Sequence, residues 1–243
     1  MTQPDEAFQQ AEQGTSHELR SFGRRRGRKL SPRQQALMAD VLPRVAPLGV
    51  NVALGSSAAC RTLFSQPVDE VWLEIGFGGG EHLIWQARHH ANVGIIGAEP
   101  FEDGVVKVLA AIEDEPLCNV LVHADDVRGL LRWLPDHALQ RVFILFPDPW
   151  PKRRHAKRRL VNEALLRQVV RVLAPGGELR LATDIGDYAR TMLMALRATP
   201  ELVWQVRRAA DWQARPDDWP STRYEVKAGR EGRKSYYLRY RRV

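Results

Sequence analysis

Two cysteines in 243 residues, Cys60 and Cys118, leave little scope for redox or metal chemistry. They form no CxxC motif and have no metal-ligand spacing, so they read as structural thiols. The seven histidines build no ligand motif either, and the adjacent His89 and His90 would point apart on a helix. A metal centre is not expected. No apolar run approaches the length that crosses a bilayer. The opening stretch MTQPDEAFQQAEQG lacks a basic-then-apolar secretion signal. These absences make the cytoplasm the default location, with no membrane partner. No internal repeat appears, which sets aside solenoids and repeat arrays.

Acidic charge is also in short supply. There are 29 Asp and Glu against 36 Lys and Arg, a formal net charge of +7. Excess positive charge favours polyanions, nucleic acid above all, but a total alone is weak support. Distribution says more. The basic residues concentrate at 24–29 (RRRGRK), 152–159 and 230–242. Residues 1–30 read as a basic, flexible leader and 31–243 as a single domain. Ser31-Pro32 looks like a helix start, with a capping hydroxyl and a proline in the first turn. Residues 47–67 look irregular.

From residue 71 the texture changes. VWLEIGFG is a short apolar run ending in glycines, the pattern of a buried strand. EHLIWQARHH follows with Leu83, Ile84 and Ala87 at helical spacing. Strand patterns recur in VGIIGAEP, VLVHAD, VFILFPDP and ELRLATD. Helical patterns separate them: GVVKVLAAIEDE, RGLLRWL, residues 158–173 with Val161, Leu165, Val169 and Val172 on one face, and YARTMLMALRA. Pro175-Gly176-Gly177 reads as the stop of the 158–173 helix. SYYLRYRRV near the end alternates like an edge or hairpin strand. Alternation of this kind predicts an α/β fold, a doubly wound sheet. Ligands of such sheets bind at the carboxyl ends of the strands. Glu74 to Gly80, Glu99, Asp125, Asp148 and Asp184 all fall there.

The loop EIGFGGG (74–80) lets backbone approach a ligand closely, because glycine has no Cβ. Alone it is a weak signal, as compatible with a plain turn as with a cofactor site. Glu99 strengthens it, since an acid at the end of the second strand accepts bonds from ribose hydroxyls. An acid ending the third strand, Asp125, could accept from an adenine amino group. Gly76 and Gly78 fit a dinucleotide fingerprint, but its third glycine position is Glu81, which would repel a pyrophosphate at a helix start. Glu74 suits a ligand bearing an ammonium group. S-adenosylmethionine, cationic and free of phosphate, fits better than NAD.

The fourth strand ends in ILFPDPWPKRRHAKRRLV (144–161). Pro147 and Pro149 lack N–H donors and prevent a regular ladder, which holds Asp148 at the sheet edge. Trp150 offers a stacking surface for a base. The basic run offers phosphate contacts, although a solvated helix start is an even alternative. His155 reads as an exposed residue.

The stretches RSFGRRRGR (20–28), EIGFGGGEHL (74–83), GAEPF (97–101), FPDPWPKRRHAKRRLV (146–161), LATDIGDYA (181–189) and TRYEVKAGREG (222–232) resemble the bacterial tRNA (guanine-N7)-methyltransferases. They span nearly the whole chain after the leader. The resemblance implies a Rossmann-like class I methyltransferase, with a doubly wound, mostly parallel sheet and an antiparallel C-terminal strand. It implies S-adenosylmethionine as cofactor and guanine 46 in the variable loop of tRNA as substrate. Glu74, Gly76, Gly78, Glu99, Asp125, Asp126 and Asp148 would then surround the cofactor. Asp148 would also be the catalytic acid. The HADDV stretch departs from the pattern by offering both Asp125 and Asp126. Asp125 is the preferred adenine contact, with Asp126 supplying its backbone N–H. Lys152, Asp184, Thr222, Arg223, Tyr224 and Glu225 would hold the substrate. Arg24, Arg25 and Arg26 in the leader would contact phosphates, as would Arg153, Arg154, Lys157, Arg158 and Arg159. No protein partner is evident, and a monomer or homodimer is expected.

Asp184 is equally readable as an N-cap for a helix beginning at Ile185, and Glu225 has the same two readings. Thr222 and Tyr224 suggest a loop closing over substrate, or else an ordinary surface hairpin. Three rival activities remain distinguishable. An exocyclic-amine or DNA methyltransferase would carry a polar-Pro-Pro-aromatic motif, from which PDPW departs at its second position. A non-catalytic RNA-binding protein would not need Glu74, Glu99, Asp125 and Asp148 intact. An NAD oxidoreductase conflicts with Glu81 and lacks a placed hydride-transfer partner.

Overall fold

The computed structural model describes residues 23, 25–47, 56–115 and 117–243. Arg24 and residues 1–22, most of the expected leader, lie outside the described residues. Apolar residues at period two build the strands. In β1 (Glu70–Ile75), Val71, Leu73 and Ile75 face one core cluster and Trp72 faces the other. Both faces are therefore covered, and the strand reads as a continuous apolar run. β2 (Val93–Ala98), β3 (Val120–His123), β4 (Leu139–Leu145) and β5 (Leu173–Thr183) continue a parallel sheet. β6 (Leu202–Trp204) and β7 (Tyr236–Arg242) complete it.

The strand order is β3-β2-β1-β4-β5-β7-β6. From β1 the chain winds outward through β2 and β3, then returns to lay β4 on β1's other side. The order reverses between β1 and β4, which opens a crevice at their carboxyl ends. β7 runs antiparallel to both β5 and β6. It is antiparallel as expected, but it is an interior strand and not an edge. The edge role falls to the three-residue β6, and a short edge strand offers little template for unwanted pairing.

Helices pack on both faces. A continuous helix, α1, covers residues 32–45, with a wider turn at Leu37–Val41. Ser31 caps it, accepting from the Gln34 N–H, with Pro32 at the first position as its sequence indicates. α2 (Ser57–Arg61) is a short helix inside the stretch expected to be irregular. Ser56 caps it, and the one turn carries Cys60 into the core. Burial raises the Cys60 thiol to about 11, which leaves it unreactive. Cys118 is exposed, so the structural-thiol reading holds for Cys60 alone. α3 (Glu81–His89), α4 (Glu102–Asp114), α5 (Val127–Trp133) and α7 (Gly186–Arg197) follow the sequence pattern.

α6 spans Glu163–Val172 and does not begin at residue 158. The basic residues Arg153–Arg158 form a separate 3-10 turn, and Asn162 caps the true helix. Val161 is buried although it precedes the helix, which explains why it fitted the apolar face. The helix ends at Val172, and Leu173 already pairs with Leu139 in β5. Pro175-Gly176-Gly177 thus lies in the register irregularity between Leu139 and Arg141, after the helix has stopped. α8 (Ala210–Gln213) and α9 (Arg223–Arg230) complete the chain.

Candidate active site

The crevice between β1 and β4 holds a cavity of about 320 Å³. Gly76, Gly78, Glu99, Asp126, Asp148 and Tyr224 are among its lining residues. The sequence motifs thus converge on one space.

One wall is the glycine loop. Gly76, Gly78 and Gly80 have φ values of +75°, +56° and +82°, a region costly for residues with a Cβ. A Cβ on Gly76 would meet nothing within 4 Å, so the loop stands clear on the cavity side. A Cβ on Gly104 would lie 2.1 Å from the Gly78 carbonyl oxygen, so the start of α4 can approach the loop only as glycine. Glu99 ties this wall together. It is 8% exposed, with one oxygen accepting from the Gly78 N–H at 2.8 Å and the other from the Phe101 N–H at 2.9 Å. Burial raises its pKa above the usual carboxylate range, partly offset by those two donors and reinforced by the negative charges of Asp148 and Glu74.

Glu74 is 3% exposed and does not line the cavity. Its Oε2 lies 2.7 Å from His82 Nδ1. Asp125 and Asp126 part company. Asp126 lines the cavity, but its carboxylate caps α5 and pairs with Arg128 at 2.6 Å. Asp125 is exposed and pairs with Arg25 at 2.6 Å. The Asp126 N–H, expected to face a ligand, donates to the Asp125 carboxylate.

The other wall is the PDPW segment. Phe146 (φ +50°) and Trp150 (φ +43°) adopt left-handed backbone conformations, which concentrates strain on either side of Asp148. Each of the two precedes a proline, Pro147 and Pro151, whose ring favours extended backbone at the residue before it, so these conformations run against local preference and are held by the surrounding structure. The Phe146 N–H still donates to Ala182 O at 2.8 Å, and Asp148 projects from that anchored edge as an exposed carboxylate on the cavity lining. Trp150 is half-buried, with the Arg158 guanidinium 5.0 Å from its ring centroid and His155 edge-on at 5.9 Å. His155 is therefore half-buried rather than fully exposed.

The basic run divides. Lys152, Arg153, Arg154 and Lys157 are exposed, and Arg158 lines the cavity. Arg159 corrects the expectation of a phosphate contact: it is 5% exposed and donates to Pro149 O, Thr191 Oγ1 and the Asp187 carboxylate. It fastens the PDPW segment to α7. Arg25 and Arg26 are exposed but ion-paired, to Asp125 and Glu102 respectively. The Arg25 carbonyl accepts from the Glu102 N–H, so contact with the domain begins ahead of residue 31.

Residues 222–225 form neither a loop nor a hairpin. Thr222 is the N-cap of α9, accepting from the Glu225 N–H. Arg223 and the exposed Tyr224 line the cavity, and Arg223 reaches Glu81 at 3.5 Å. Glu225 turns away, accepting from Tyr237 Oη at 2.6 Å and pairing with Arg215 at 3.1 Å. It does not cap α9. Asp184 pairs with Arg233 at 2.7 Å, and the α7 start has no side-chain cap, so the capping role expected of Asp184 is absent. Sequence reasoning missed Arg128, Arg233 and His82; for His82 the one trace was its i, i+8 spacing from Glu74 across a strand-loop-helix junction.

Residues 69–238 match the family model described as "Putative methyltransferase". A tRNA (guanine-N(7)-)-methyltransferase of Rhodospirillum rubrum is 47% identical over 227 residues, 93% of this chain and 89% of the relative. One from Brucella anthropi is 45% identical, covering 93% of this chain and 97% of its own. The chain belongs to the tRNA (guanine-N7)-methyltransferase family. The solved 16S rRNA methyltransferase KamB superposes with a TM-score of 0.53 at 18% identity, over 82% of this chain and 99% of that one. At that identity it shows the shared class I methyltransferase fold alone. A methyltransferase of this family uses S-adenosylmethionine, and the cavity fits that cofactor. The glycine loop leaves backbone space, and Glu99 presents a carboxylate to hydroxyls. Among the described residues no cluster could hold a metal ion, and no helix is long and apolar enough to cross a membrane.

Proposed function

We propose that the protein methylates N7 of guanine 46 in the variable loop of tRNA. Convergence carries this reading: the loop held by Glu99 and the exposed Asp148 of the PDPW segment face one cavity, in a chain of this family. When bound, S-adenosylmethionine supplies a methyl group activated by its sulfonium charge. Glu99 would hold ribose hydroxyls, and the Asp126–Val127–Arg128 stretch would border the adenine. Asp125 would reach it only by releasing Arg25, an exposed pair of little strength.

Guanine N7 carries a lone pair and no proton at neutral pH, so the protein need supply no general base. Its work is positioning and charge stabilisation. The methylated base is cationic, and Asp148 stabilises that charge as it develops. Asp184 would select guanine by accepting from N1–H and N2–H, with Arg233 giving way. Tyr224 and Trp150 offer faces against which an extruded base can stack. Lys152, Arg153, Arg154 and Lys157 present cations to the phosphates.

The test is methyl transfer from labelled S-adenosylmethionine to a tRNA transcript and to the same transcript with adenine at position 46. N7-methylguanosine from the first and none from the second is the expected result. Another methylated nucleoside would refute the substrate assignment.

A further inference from the structure

A buried polar chain runs behind the cavity. Glu74, His82 and Gln86 are 3%, 2% and 1% exposed. Its far end fixes its chemistry. The Asp218 carbonyl can only accept, and Gln86 Nε2 lies 3.0 Å from it, which orients the amide. The same nitrogen lies 3.0 Å from His82 Nε2. A donor can bond there only if Nε2 presents its lone pair. The imidazole proton must then sit on Nδ1, aimed at Glu74 Oε2 at 2.7 Å. A doubly protonated ring would set one N–H against another. Phe143 and Trp219 hold the ring edge-on, with centroids at 4.6 and 5.9 Å.

We infer that His82 is a positioning residue for the cofactor site: as the neutral Nδ1–H tautomer it holds Glu74 as a carboxylate acceptor. Through Gln86 it also joins the cofactor loop to the 218–219 backbone ahead of α9. This rests on the methyltransferase reading, in which the glycine loop that follows Glu74 holds the cofactor. Simple core filling explains the chain poorly. Three polar side chains are buried where apolar ones would pack at lower cost, and Gln86 Oε1 has no partner. The connection also joins the glycine-loop wall to the segment that leads into α9. His82 and Gln86 lie on α3, directly after the glycine loop, while Asp218 lies four residues before the cap of α9, which carries Arg223 and Tyr224 to the cavity.

The experiment uses the full chain with His82→Leu and His82→Asn. The asparagine amide places an N–H near the position of Nδ1; leucine offers none. His82→Leu should bind S-adenosylmethionine about tenfold to a hundredfold more weakly in calorimetry, the effect of losing a hydrogen bond to a charged group. Its KM for the cofactor should rise more than kcat falls. His82→Asn should restore affinity to within about threefold of wild type. NMR of wild type carrying isotope-labelled histidine should show Nδ1 protonated and Nε2 bare. Protonated Nε2, leucine-variant affinity equal to wild type, or an asparagine variant as weak as leucine would each overturn the inference. If the leucine variant does not fold, the asparagine variant and the tautomer still decide. Failure of the tRNA reading shows in the methylated nucleoside, a readout separate from these.

Discussion

The two walls of the cavity are built differently. On the β1–β2 side the carboxylate is buried, and backbone N–H groups hold both its oxygens. On the β4 side the carboxylate is exposed, standing between two prolines and two left-handed residues. The first wall is preorganised by the main chain, which suits a ligand of constant shape. The second presents a charge on a strained, braced edge, which suits a reacting group arriving from outside. Fastening differs as well. Glycines at Gly78 and Gly104 let the first wall close on itself, whereas the second is held from behind by Arg159 on α7.

Substitutions should separate the walls. The largest effect is expected from Asp148→Ala, which should slow methyl transfer about a hundredfold or more in single turnover. Because Asp148 is exposed, cofactor affinity and melting temperature should stay near wild type. A parallel loss of cofactor binding would mean that the walls do not divide the work in this way. Next comes Glu99→Gln, expected to weaken S-adenosylmethionine binding about tenfold or more in calorimetry, with Asp148-dependent chemistry intact at saturation. The pH dependence follows from the raised pKa of Glu99. As pH falls, this buried group takes up its proton above the ordinary carboxylate range. Cofactor affinity should therefore hold above the raised pKa and be lost as pH falls through it. Glu99→Gln should flatten that fall.

A smaller contrast lies within the basic run. Lys157→Ala should leave stability unchanged and reduce the salt slope of tRNA binding by about one. Arg159→Ala should leave that slope unchanged and lower the melting temperature by about 5 °C. The reverse pattern would show that Arg159 leaves its buried site to meet RNA.

Much of this was legible before folding. Strands with both faces buried read as apolar runs, so β1 to β5 could be located, and acids at their carboxyl ends marked the cavity. Boundaries failed where capping and tertiary pairing decide. Asn162 starts α6 after the basic turn, and Thr222 starts α9 inside a segment whose charges suggested a loop. The role of Arg159 was hidden because six basic residues within eight positions look alike until α7 is seen to cover one of them. Asp184 and Glu225 could each have been caps, and only their partners, Arg233 and Tyr237, distinguish them.

The sequence by itself determined the alternating α/β pattern, the glycine loop, the isolated acid between prolines and the surplus of positive charge. Each follows from local physics: period-two burial, the absence of a Cβ, fixed φ angles and net charge. Tertiary structure alone decided that β7 sits inside the sheet, that Asp126 lines the cavity while Asp125 turns to Arg25, and that His82 stands behind Glu74. Those outcomes depend on contacts between residues far apart in the chain. Burial and hydrogen-bond direction at such contacts are set by the packed neighbours, and residue spacing does not encode them.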